Sequence, residues 1–189
     1  MKTEPLVSNR FYHIYNRGNN REDLFIEEKN YPYFLNLVKK HVLPIADVYA
    51  YCLLKNHFHL LIQTKAIDEE SKISKGFSNL FNSYTKSFNK AYNRTGSLFS
   101  KPFSRIKITK EDYLRSLIIY IHLNPRHHGF VSNFETYLHS SYPALAQTKN
   151  TSLKREEVIA LFDDLNNFIF CHRNKEDFLD EKDLGLTLE

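Results

Sequence analysis

The chain has 189 residues, of which 42% are hydrophobic, enough to bury one sizeable core, and it carries a formal net charge of +4. No apolar run approaches the roughly 20 residues that span a bilayer, the amino terminus lacks a signal-peptide core, and Cys52 and Cys171 have no zinc-ribbon or disulfide spacing. A cytoplasmic protein with buried thiols and no membrane partner is expected.

In chain order, Phe11 to Tyr15 reads as a strand that runs into the turn formers Asn16-Arg17-Gly18-Asn19-Asn20. Tyr31 to Val42 has apolar residues close to helical spacing, with Pro32 in its first turn and Pro44 as its stop. Ile45 to Leu54, the turn candidate Lys55-Asn56 and the alternating run His57 to Thr64 predict a hairpin. Ile73 to Tyr92 predicts a long amphipathic helix with Lys75, Asn79, Asn82 and Lys86 on its outer face.

A short strand is expected around Arg105 to Ile108. Thr109, with Asp112 three residues on, then caps a helix over 111–123 that Asn124-Pro125 terminates. A looser region leads to a further helix over 156–170 and an acidic end, Asp177 to Glu189, whose state the pattern leaves open. The chain divides into a main domain, 1–150, and a helical extension with an acidic tail, 151–189. The element order predicts an α+β sandwich, with helices laid on one face of a mostly antiparallel sheet.

Charge is uneven along this order. From Lys86 to Arg126 the basic residues, among them Lys101, Arg105 and Lys107, greatly outnumber Glu111 and Asp112, and Tyr84, Phe88, Tyr92, Phe99 and Phe103 are interleaved with them. Cations that meet phosphates and rings that stack on bases fit a nucleic-acid surface. A solvated basic face over an ordinary aromatic core is the plainer alternative.

Chemistry concentrates in Asn56-His57-Phe58-His59-Leu60-Leu61-Ile62-Gln63. In a strand His57 and His59 project to one side, about 7 Å apart along the backbone, while Phe58, Leu60 and Ile62 project to the other. Two such imidazoles make half a metal site, and Gln63 shares their face as a supporting candidate or a simple strand-end polar residue. On the helix over 111–123, Tyr120 and Asn124 are four residues apart and share a face. A phenol can act as a covalent nucleophile, a metal on the histidines can polarise a phosphoryl oxygen, and the Asn124 amide can complete the ligands. His122 falls on the far side of that helix and Tyr113 reads as core or as a base-stacking ring.

These pieces, in order, resemble a known family: the HUH single-tyrosine transposases, in their REP-associated tyrosine transposase branch. The segments that carry the resemblance are FYHIYNRGNNREDLF, NHFHLLIQT, GSLFSKPFSRIKI and YIHLNP with its following basic loop and Gly129, spanning Phe11 to about Tyr142. The resemblance implies a ferredoxin-like or RRM-like fold. It implies Mg²⁺ or Mn²⁺ on His57, His59 and Asn124, although imidazoles by themselves favour later transition metals. It also implies that Tyr120 attacks single-stranded DNA at hairpins of repeated extragenic palindromes, leaving a 5′-phosphotyrosine link and a free 3′-OH.

Leu54-Lys55 stands where the family commonly has Met-Pro, which alters the turn and leaves the ligands in place. Arg17 and Asn19, beside Gly18, are the leading DNA contacts, since glycine lets backbone approach a phosphate; Lys101, Arg105 and Lys107 follow. Monomer and homodimer are both open. The alternative function is a nucleic-acid binding module of the same shape without catalysis.

Overall fold

A computed structural model describes residues 4–174; the acidic end beyond Lys175 lies outside the described residues. Four strands and two long helices alternate as β1 (Phe11–Arg17), α1 (Asn30–His41), β2 (Ala46–Leu54), β3 (His57–Thr64), α2 (Ser71–Ala91) and β4 (Ser104–Ile108). The sheet order is β2-β3-β1-β4, with every neighbouring pair antiparallel. This is the ferredoxin-like arrangement, in which α1 connects β1 and β2 across the place of β3 and α2 connects β3 and β4 across β1.

The centre of the sheet follows from β3, whose residues are almost all buried. A strand apolar on both sides must be covered on both sides. Phe58, Leu60 and Ile62 pack with Tyr12, Ile14 and the inner faces of α1 and α2; each such burial is worth about 1.5–3 kcal/mol. Cys52, Leu54 and Leu61 face the other way, into a second core. The expectation of helices on one face is thus corrected. Helix α3 (Glu111–His127) packs across the second face, joined by α4 (Tyr142–Leu145), α5 (Arg155–Ala160) and α6 (Leu165–Asn174).

Three boundaries differ from the pattern, each for a local reason. Helix α3 starts after Lys110, which makes no side-chain cap, so Thr109 is not the cap. It also runs through Pro125 instead of stopping at Asn124. The donor that proline lacks is lost only in the last turn, where the Asn124 carbonyl accepts from His128 N–H at 3.0 Å and the Pro125 carbonyl from Phe130 N–H at 2.8 Å. Gly129, at φ +70°, then ends the helix. The single helix expected over 156–170 is broken at Asp163, φ +68°, and Asp164 Oδ1 caps α6 by accepting from Asn167 N–H at 2.8 Å.

Candidate functional site

The strand register builds the site. Tyr15 lies opposite His59 and Arg17 opposite His57, so these four side chains share the sheet face that α3 covers. The two imidazoles meet edge to face with ring centres 5.3 Å apart. Helix α3 lays Tyr120 on them, its ring 5.7 Å from that of His59 and nearly perpendicular. Nucleophile candidate and histidine pair therefore come together within one chain.

The hydrogen bonds determine which atoms face inward. Asn56 Oδ1, an acceptor, lies 2.8 Å from His57 Nδ1, so that nitrogen carries the proton and Nε2 keeps its lone pair. The Asn124 side chain donates from Nδ2 to the Tyr120 carbonyl at 3.4 Å, which turns its Oδ1 toward His57 Nε2 at 3.5 Å. Two acceptors then face each other with no proton between them. His59 Nε2, fully buried, has no hydrogen-bond partner among the described residues. Burial holds His57 down to about 4, with the neighbouring His128 adding in the same direction and the Asn124 contact opposing it; burial also holds His59 well below its usual value. Both rings are neutral at pH 7, as ligation requires.

Among the described residues no group of three or more His, Cys, Asp or Glu is arranged to hold a metal ion. The set that fits a cation is two imidazoles and one amide. The atoms that such an ion would take are His57 Nε2, Asn124 Oδ1 and, in the tautomer protonated at Nδ1, His59 Nε2.

The other candidates disperse. Arg17 lines a cleft of about 430 Å³ beside the pair, with Arg21, Asn56, His57, His128 and Phe130. Asn19 sits in the 3₁₀ turn Asn19–Arg21, its N–H donating to the Leu98 carbonyl. Gly18 has a steric reason of its own, since a Cβ there would fall 1.9 Å from the Glu22 carbonyl oxygen. Lys101 lines a separate cleft of about 720 Å³ between α2 and the segment before β4, floored by Phe81, Phe99 and Phe103. Arg105 and Lys107 pair across from Ile14 and Tyr12, placing them on the opposite face of the sheet from the imidazoles. The Arg105 guanidinium lies 4.0 Å over the Phe103 ring. Gln63 is four residues along β3 from His59, where its Oε1 accepts from Tyr49 Oη at 2.8 Å.

Several residues at the site escaped the sequence reading. Asn56 orients His57, His13 touches His59 Nδ1 at 2.9 Å, and Arg21, His128 and Phe130 line the cleft. Strand alternation would put His13 and Tyr15 on one face of β1, but the meeting of His13 with His59 needs the β1–β3 register. Tyr113 packs at the margin of the second core. His122 lies with Ser141 and His172, away from the pair.

Comparison with solved structures finds a REP-associated tyrosine transposase bound to a REP hairpin, at 17% identity and a TM-score of 0.61, covering 80% of this chain and 88% of that one. This chain has that transposase's fold. The likeness falls on the kind of protein that the motifs resemble. A protein of Deinococcus radiodurans R1, named as a transposase candidate, matches at 15% identity over 62% of this chain and 92% of that one, with a TM-score of 0.42, too low to carry an argument. No family model matches the chain, and no curated protein matches it significantly by sequence. Among the described residues no helix is long and apolar enough to cross a membrane.

Proposed function

We propose that the chain is a metal-dependent endonuclease and strand transferase acting on single-stranded DNA at hairpins, with Tyr120 as nucleophile. The observation that carries this reading is the packing of Tyr120 on His59 beside two facing acceptors, His57 Nε2 and Asn124 Oδ1. A divalent cation, Mg²⁺ or Mn²⁺, held by His57, His59 and Asn124 would polarise a phosphoryl oxygen of the scissile linkage, with phosphate and water supplying the harder ligands.

The chain's own residues do the rest. Arg17 and Arg21 offer positive charge along the cleft that reaches His57, fit for a phosphate backbone. The Tyr120 oxygen attacks phosphorus and displaces the 3′ oxygen, its proton passing to solvent while the leaving oxygen takes one up. The 5′ phosphate stays on the tyrosine until a 3′-OH attacks it and joins the strands. Asn124 couples the two halves of the site, since one end of its amide holds the Tyr120 carbonyl and the other faces His57.

Tyr120 is only 1% exposed. The reaction therefore needs a local opening, and the exposed segment from Arg126 to Phe130, whose His127 ring lies 6.3 Å from that of Tyr120, is where it would occur. The same burial favours the second reading, a nucleic-acid binding module without chemistry. Incubating a hairpin oligonucleotide carrying a single-stranded flank with the protein and Mn²⁺ separates the two. A denaturation-resistant protein–DNA adduct, lost in EDTA and in Tyr120→Phe, is the expected result. Hairpin binding unchanged by EDTA, with no adduct on any of several hairpins, would establish the binding module instead.

A further inference from the structure

His13 stands in β1 two residues before Tyr15, fully buried, its ring nearly parallel to that of His59 with centres 5.1 Å apart and planes inclined by 19°. Its Nε2 lies 2.9 Å from His59 Nδ1. Both rings are fully buried, where an imidazole is accommodated in its neutral form. A neutral imidazole has one donor and one acceptor nitrogen, so a contact between two of them has only two proton arrangements. The remaining nitrogens, His59 Nε2 and His13 Nδ1, are both buried and without hydrogen-bond partners among the described residues.

The two arrangements differ at the metal-facing atom. If His13 donates, the proton of His59 sits on Nε2 and that atom has no lone pair for a cation. If His59 donates from Nδ1, its Nε2 lone pair is bare and the ring is a ligand. Each arrangement strands one buried N–H, on His59 Nε2 in the first and on His13 Nδ1 in the second, a penalty that a purely structural pair would avoid by using an apolar residue, and only the second gives a ligand.

We propose that His13 is a positioning residue, whose Nε2 accepts the His59 Nδ1 proton and so fixes His59 as a ligand through Nε2. The proposal rests on the metal-assisted reading above. A second residue that receives the far N–H of a ligating histidine fixes its tautomer and orientation, and its loss costs about 10- to 100-fold in metal affinity. Here the ring does this from the neighbouring strand, with Tyr15 beside both rings, 4.8 Å from His13 and 5.9 Å from His59 between centres.

The test measures Mn²⁺ binding to the full chain without DNA, by following the free-ion electron paramagnetic resonance signal, together with thermal melting of the metal-free protein. His13→Phe keeps a buried aromatic ring and removes the acceptor; His13→Gln restores an acceptor near the Nε2 position. His13→Phe is expected to bind Mn²⁺ about 10- to 100-fold more weakly, while melting no lower than wild type without metal. His13→Gln should recover part of the affinity. A His13→Phe protein that binds Mn²⁺ as wild type does, while His57→Ala is weakened, overturns the role of His13 alone. If His57→Ala is not weakened either, the metal pair itself fails and this proposal falls with it. Weaker binding matched by a lower metal-free melting temperature in both His13 variants would reduce His13 to a packing residue.

Discussion

Two clusters of buried imidazoles lie on the same side of the sheet, and they are built in opposite ways. In the cluster of His122 and His172 every ring nitrogen has a partner. His172 donates from Nδ1 to the Phe168 carbonyl at 2.7 Å and His122 donates from Nδ1 to His172 Nε2 at 2.8 Å. Ser141 donates to His122 Nε2 at 2.7 Å, while its oxygen accepts from Tyr51 N–H at 2.8 Å. That chain of hydrogen bonds ties α6 and the segment before α4 to α3. The cluster of His13, His57 and His59 instead ends in two acceptors that face one another and in ring nitrogens without a partner among the described residues. A closed network rigidifies a core, whereas an open one is costly unless something else occupies it.

The largest expected effect comes from disturbing the open cluster. His57→Ala removes one of the three proposed ligands, so Mn²⁺ affinity and the rate of adduct formation should fall by at least about 100-fold. The metal-free protein should keep its stability to within about 1 kcal/mol, because an inadequately partnered buried polar group is lost with the ring. Calorimetric Mn²⁺ titration beside urea unfolding checks both halves. A variant that loses stability and keeps its metal would make the open cluster structural and erase the contrast.

The closed cluster should respond in stability and in pH. His172→Phe strands the His122 Nδ1–H, at a cost of about 1–3 kcal/mol at pH 7. Burial also holds His172 down to about 4 from the usual value near 6.5. In the unfolded chain the ring takes up its proton near pH 6.5, but the fold resists it. The stability is therefore fully present above about 6.5 and is lost as pH falls toward 4, by about 3 kcal/mol in all. His122, also held low by burial, adds in the same direction. Urea unfolding at pH 7 and pH 5 should show a shallower loss in His172→Phe than in wild type; equal losses would mean that the closed cluster does not sense pH.

The open cluster was partly legible in the amino-acid sequence and the closed one was not. His57 and His59 stand out because strand alternation is a local rule, and Tyr120 with Asn124 because helical spacing is another. His122 was set aside from Asn124 by the same helical geometry, yet its partners Ser141 and His172 lie 19 and 50 residues away, beyond any periodic signal. Strand and helix order was readable in the same local way, because hydrophobic period and turn residues mark each element. What stayed hidden depended on register or on the end of a helix. The β1–β3 pairing brings His13 to His59, and the continuation of α3 through Pro125 sets where Asn124 points.

The smallest effect concerns what each cluster presents to solvent. Over the open cluster the cleft beside His57 carries Arg17 and Arg21. Beside the closed one the exposed Arg173 is committed to Glu135, its Nε 2.7 Å from the carboxylate. If DNA enters over the open cluster, Arg17→Ala should weaken hairpin binding a few-fold and reduce the dependence of log affinity on log salt by about 1, the signature of one lost phosphate contact. Arg173→Ala, equal in charge change, should leave both unchanged, and so should Lys107→Ala on the far face of the sheet. Fluorescence anisotropy of a labelled hairpin across a salt series distinguishes the three. Equal losses from all of them would mean that the chain attracts DNA by net charge, with no preferred face.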